Sequence, residues 1–247
     1  MIVTIAPTET DIFTATRAVL LTMGLAPAIA SQNVDIIRGQ VNRVPEPLSG
    51  DFVVIWPLMR ERLAMNIDDY LDGQFAGSIT ANTLTVTALD IGVPGYGQLL
   101  YGDGIAPGCT ILTQLSGPSG GLGTYQVSPT PNAAAQTIYC GIKSVLQKTE
   151  ITLQADIHGP ASADNAHRIQ SLFRDQFGVD AFQLANPMIA PLYTSSPRQL
   201  PFFNAEQQTE ERWTLDLCMQ AEVTLIVTQQ FAAALHSDTT PVYTLAS

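Results

Sequence analysis

From Trp213 to Val227 every odd-numbered residue is apolar: Trp213, Leu215, Leu217, Met219, Ala221, Val223, Leu225 and Val227. The positions between them are Thr214, Asp216, Cys218, Gln220, Glu222, Thr224 and Ile226, all but the last polar or small. A period of two is the mark of a strand with one buried face. Carried over fifteen residues, it predicts a strand of roughly 50 Å, far beyond the usual five or six residues. Such a strand overshoots a compact domain or extends into a neighbour's sheet, and it points to assembly. Charged residues make up 13% of the chain, about half the ordinary share, which suits surfaces that are buried against other subunits.

The rest of the chain reads as helices and strands around that feature. Thr8 with Asp11 forms a capping-box pattern with Asp in place of Glu,. Ile12, Phe13, Thr16, Val19, Leu20 and Met23 then recur at helical spacing before Gly24, which predicts a helix over 8–23,. Strands are expected at about 33–41 and 51–59. In the second both alternating sets are apolar, as in a strand buried on two faces, and Pro57 predicts a bulge or an early end to pairing,. Arg60-Glu61-Arg62 leads into a polar stretch ending at Asp72. Residues 136–158 return to strand, with Ile151, Leu153, Ala155 and Ile157 on one face,. His158-Gly159-Pro160 breaks it, Ser162 is expected to cap a second helix with Ala166, Ile169, Phe173 and Phe177 on one face, and Gly178 to close it,. A Pro-rich loop is expected over 187–201.

Residues 73–131 differ in character. They hold twelve of the eighteen glycines, two acids (Asp90 and Asp103) and no Lys or Arg. Short β-prone runs punctuated by Gly and Pro predict four or five strands, barrel- or sandwich-like, with Ile79, Leu84, Val86, Ile111, Leu112, Tyr125 and Val127 as a small core,. The apolar and β-branched content is too high for a disordered linker. The expected organisation is therefore a discontinuous domain, 1–72 with 132–247, carrying an inserted small all-β domain over 73–131. The fold class is α+β, a mixed or antiparallel sheet with two flanking helices.

Chemistry-bearing patterns do not assemble. His158, His167 and His236 lack partners at metal spacing, and Asp68, Asp69 and Asp72 lack the alternating ligands of a calcium loop and read as a solvated turn,. Asp103 between Gly102 and Gly104 reads as a tight turn. Nucleotide-binding and nucleophile motifs are missing: GPSGGLG at 117–123 is followed by no lysine,. No cofactor and no metal are expected. Cys109, Cys140 and Cys218 form no disulfide framework, which favours a reducing cytoplasm,. The N-terminal text does not read as a signal peptide, and no apolar run approaches a membrane span. A net charge of −11 with no basic cluster argues against phosphate binding, whereas an acidic wall lets DNA slide past,.

Three segments carry a family resemblance: TETDIFTATRAVLLTMGL, IIRGQVNRVPEPLSGDFVVIWPLMRERLAMNIDDY and EITLQADIHGPASADNAHRIQSLFRDQFG. They resemble the phage neck terminator-like family over roughly 1–72 and 136–245, most closely in RGQVNRVPEP, RERL and the DIHGP text before the second helix. The resemblance implies a tail-terminator-like fold and a structural virion protein, assembled in the host bacterial cytoplasm. It implies a homo-hexameric ring that caps the tail tube, meets the sheath and the head-side connector or collar proteins, and passes DNA through its lumen without reading sequence. The 73–131 insert departs from the simpler family pattern and resembles small β modules of virion proteins. It is expected to project outward from the ring, since inside the lumen it would obstruct DNA.

Arg38, Arg43, Arg60 and Arg62 are the candidate interface residues, because bases are scarce here and these lie at strand ends and loops. They pair either with acids of neighbouring subunits or in exposed salt bridges worth about 0–1 kcal/mol each. Two other functions stay open. One is a carbohydrate- or surface-binding decoration module in which Phe75, Tyr96, Tyr101 and Tyr125 of the insert stack on sugars. The other is a hydrolase whose site is scattered in sequence.

Overall fold

A computed structural model of the chain describes residues 3–39, 50–200, 202–203 and 209–229. The elements run β1 (Val3–Ala6), α1 (Glu9–Thr22), β2 (Asp35–Arg38), β3 (Phe52–Arg62), β4 (Ile67–Thr80), β5 (Thr83–Ile91), β6 (Leu99–Tyr101) and β7 (Ile111–Gln114). They continue with β8 (Gly123–Val127), β9 (Ala133–His158), α2 (Ser162–Phe173), α3 (Gln176–Ala185), β10 (Ile189–Thr194), β11 (Arg198–Gln199), β12 (Phe202–Phe203), β13 (Thr209–Glu210) and β14 (Arg212–Thr228). The fold is mixed α+β, with a large, mostly antiparallel sheet of twelve strands among the described residues. Three helices accompany it among the described residues, where two were expected. Two compact units divide the described residues: one lies within Thr4–Asp68 and Val145–Leu225, the other is Asp69–Ser144 with Val3 and residues 226–229.

In the first unit, β14 is the long strand that the alternation predicts. Leu215, Leu217, Met219, Ala221 and Val223 are all buried on one face, each large side chain contributing roughly 1.5–3 kcal/mol. The length is used inside the chain: β9 and β1 lie beside β14, and β10 and β11 pair with it at Ile189↔Ala221 and Arg198↔Thr214. The expected Pro-rich loop is thus mostly strand, because backbone pairing with β14 overrides the prolines. Pro191 is accommodated by a register shift between Pro191 and Tyr193,. On the far side β9 pairs with β3 from Phe52↔His158 to Arg62↔Thr149, and β2 adds in parallel, Ile36 opposite Val53. The Arg60-Glu61-Arg62 text continues β3 rather than leaving it.

Helix α1 starts as its sequence dictates. The Thr8 hydroxyl accepts from the Asp11 amide at 3.2 Å, and the Thr8 amide donates to the Asp11 carboxylate at 2.8 Å. Gly24 follows with φ +63°, the left-handed stop that glycine allows. Ile12, Val19 and Leu20 pack with Ile169 and Phe173 of α2, Phe182 of α3, and the β9 face Ile151, Leu153, Ala155 and Ile157. Ser162 is the first residue of α2, not its cap: Ala161 occupies that position and makes no side-chain cap bond. Gly178 does not close α2. Asp175 starts α3 by accepting from the Phe177 amide at 3.1 Å, and Gly178 lies buried within α3, where a Cβ would stand 2.3 Å from the Phe173 carbonyl. Phe177, expected on the buried face, is exposed.

Buried polar groups tie the loops of this unit. Asp51 accepts from the amides of Ala28 (2.7 Å) and Ala161 (2.8 Å). Asn165 binds both backbone groups of Ala26 at 2.8 Å.

In the second unit β4 turns into β5 through Ala81 and Asn82, at φ +48° and +63°, the two-residue hairpin geometry that Asn favours. The strands then follow β4–β5–β8–β7. Ile111 donates to the Gln98 carbonyl (3.0 Å) and Leu100 to that of Cys109 (2.8 Å), β6 pairs with β9 at Leu99↔Gly141, and β9 lies beside β4. The path returns on itself around Phe75, Ile79, Leu84, Val86, Leu100, Ile111, Tyr125, Val127, Ile138 and Cys140. Leu112 is exposed, since its neighbour Ile111 takes the inward position on the strand,. Asp68, Asp69 and Asp72 lie on β4 and not in a turn.

Candidate interface site

The exposed end of β3 carries the candidate site. Pro57 has no amide hydrogen to give the ladder, and the register slips there: Pro57 faces Leu153, Met59 faces Thr152, and Leu58 is left as the extra residue. The bulge turns Leu58 and Met59 outward, 54% and 52% exposed,. Beside them is a pocket of about 130 Å3 whose lining includes Ile12, Ile55, Ile151 and Leu153.

Arg38 at the end of β2 and Arg60 on β3 line its rim. Both reach Glu9 in the first turn of α1: Arg38 pairs with one carboxylate oxygen, and Arg60 lies 3.8 Å from the other. The Arg38 guanidinium also sits 5.9 Å from the centre of the Phe13 ring. Two guanidinium groups share one carboxylate, so the rim keeps a net positive charge in a chain of net charge −11. The pairing with Glu9, remote in sequence from both arginines, is what sequence reasoning missed.

Arg62 is placed differently. Its Nε donates to the Ala64 carbonyl at 2.9 Å and its Nη2 to Asn66 Oδ1 at 2.8 Å. Gln147 donates to the same Asn66 oxygen at 3.2 Å, and the Leu63 amide to the Lys148 carbonyl at 2.9 Å. The segment between β3 and β4 is thereby stapled with Leu63, Met65 and Ile67 outward, 45%, 85% and 55% exposed. Arg43 lies outside the described residues, as does His236.

A second polar cluster is buried. Arg212 pairs with Asp156 at 2.5 Å, with side chains 24% and 4% exposed, while Gln154 donates to Asp156 (3.3 Å) and to Thr214 (2.7 Å). His158 is buried: it stacks on Phe52 with ring centres 4.5 Å apart and lies 3.3 Å from Glu210. Burial holds its imidazole below the ordinary value, and Arg212 adds to this. Glu210 and Asp156 act in the opposite sense. His167 is exposed on α2. Cys109, Cys140 and Cys218 are buried and free, and burial pushes the Cys140 thiol up to about 12. Of the four aromatics considered for sugar stacking, Phe75 and Tyr125 are core residues at 1% exposure, while Tyr96 is 61% exposed. Tyr101 is half-buried and donates to the Gln229 carbonyl at 3.1 Å.

The exposed end of β3 thus presents an apolar, arginine-rimmed surface on a sheet-and-helix scaffold. A family model, phage neck terminator protein, matches residues 111–241. This is just over half of the chain, which belongs to that family. The match begins within the 73–131 segment expected to lie outside the family pattern. No curated protein matches the chain. The family is structural and not catalytic, so the protein is a structural component of the virion's neck and tail, with tail and neck partners.

Proposed function

We propose that the protein is the subunit of a hexameric ring that caps the tail tube, joins it to the head-side connector and lets DNA pass through its lumen. The observation that carries this is the exposed apolar pair Leu58 and Met59 beside a pocket rimmed by Arg38 and Arg60, with a second exposed apolar patch at Leu63, Met65 and Ile67 on the segment that follows β3. Exposed apolar surface with charged edges marks protein–protein contact. The net charge of −11 suits a conduit that repels the DNA backbone,.

Within this reading the glycine-rich segment is a self-folding β module borne outside the lumen. Its compact unit extends beyond 73–131 to Asp69–Ser144, because the first part of β9 packs with it. Replacing Asp69–Ser144 by a two-residue Asn-Gly turn between β4 and β9 should leave a folded protein that still assembles. Unfolding of that variant would show one inseparable fold.

The ring itself is tested by mixing purified subunit with tail tubes and imaging by negative-stain electron microscopy. Annuli at one tube end, with a central channel, are the expected result. Tubes with bare ends would overturn the proposal.

A further inference from the structure

The pocket beside Glu9 and the stapled segment at Met65 are different surfaces of one compact unit, and their chemistries are complementary. The pocket is apolar at its floor, holds about 130 Å3 and carries two guanidinium groups against one carboxylate. The segment presents Met65 at 85% exposure with Leu63 and Ile67 beside it. Its sequence, ERLAMNID over 61–68, has two carboxylates to one guanidinium. That guanidinium, on Arg62, is turned onto Ala64 and Asn66.

We propose that the pocket receives Met65 of a second copy of this chain, with the acidic flanks of that segment facing Arg38 and Arg60. The inference rests on the ring reading and specifies its subunit contact. Met65 cannot fill the pocket of its own chain by a small adjustment: Met59 lies opposite Thr152, whereas Leu63 already meets Lys148, roughly 13 Å further along β9, and Met65 follows Leu63,. An unbranched thioether side chain adapts to an irregular cavity of this size. The Arg62 staple holds the segment in place before contact, which lowers the ordering cost of association.

Pocket and knob are distinct patches, so the contact is head-to-tail. A heterologous contact of this kind generates a closed ring when its rotation closes and a filament when it does not. Arg62 is in this scheme a positioning residue, while Arg38 and Arg60 touch the neighbour.

The test is intersubunit crosslinking of the full chain carrying Leu58→Cys and Met65→Cys, oxidised with diamide. The native cysteines are all buried, and both introduced sites are exposed, so folding is not at risk. A ladder of covalent oligomers from the double variant, and none from either single variant, is the expected result. Dimers from Met65→Cys alone would overturn the proposal, because they require a self-complementary contact. Assembled rings without a ladder would also overturn it while leaving the ring reading intact; absence of any oligomer would sink both. As a second measurement, Met65→Lys should weaken self-association about ten- to a hundredfold, and Leu184→Lys, on α3 at 88% exposure, should not. The reverse pattern would place the contact on α3 and refute the assignment.

Discussion

Arg212 at the start of β14 and Asp156 on β9 form a deeply placed ion pair, and its removal has a magnitude that can be worked out. The Asp156 side chain is 4% exposed and meets Arg212 at 2.5 Å. Gln154 donates to the same carboxylate at 3.3 Å. Arg212→Met keeps the apolar stem and deletes the guanidinium, leaving a carboxylate out of water without its cation. Breaking a buried pair from one side costs about 3–5 kcal/mol. For a chain of this size each kcal/mol moves Tm by about 2–4 °C, so the variant should melt roughly 6–20 °C below wild type. Adding Asp156→Leu should recover most of that loss, since both charges are then gone and the site is apolar. Urea unfolding followed by circular dichroism, run as a double-mutant cycle, reads the coupling directly. An Arg212→Met variant within about 1 kcal/mol of wild type, the range of an exposed pair, would refute the view that this pair pins β14 to β9.

His158 makes stability depend on pH. Burial holds its folded-state pKa below the ordinary imidazole value of about 6.5,, so the unfolded chain binds the proton more readily. Stability from this group is present above that value and is lost as pH falls below it. His158→Phe, which can retain the stack on Phe52, should flatten the wild-type loss of stability in that range, measured by melts across pH; an unchanged slope would assign it to other groups. Gly159→Ala should be severe, because Gly159 has φ +100° and a Cβ there would stand 2.0 Å from the Gly50 carbonyl. Left-handed strain and overpacking together predict a loss of about 2–5 kcal/mol, read by urea unfolding, and a loss below 1 kcal/mol would show that the loop yields.

How far the sequence reaches depends on whether a feature is local. The Thr8–Asp11 box, the Pro57 bulge and the odd-numbered face of β14 are governed by neighbours a few residues away, and each is present as read. The break between α2 and α3 is also local, and the signal was available: Asp175 is a good N-cap. Gly178 after Phe177 matches the glycine stop of a helix end, yet it lies within α3 and admits the Phe173 carbonyl at close range. Strands β10 and β11 were not legible, since only pairing with β14 makes a proline-bearing segment extended. Burial of His158 likewise depends on Phe52, brought opposite by the β3–β9 register.

The candidate site divides in the same way. Arg38 and Arg60 stood out as scarce bases and do meet at one pocket. Glu9, which joins them, is recognisable in sequence only as a helix-start acid. Arg62 shares their strand end but is turned to the segment that follows it.

The central claim, that this neck terminator family member works as a closed ring, is tested most directly by native mass spectrometry of the subunit with and without tail tube protein. Six copies of a 26.5 kDa chain, about 159 kDa, as a discrete species in at least one of the two conditions is the predicted result. Monomer alone in both, or an open series of masses without a limit, would contradict it.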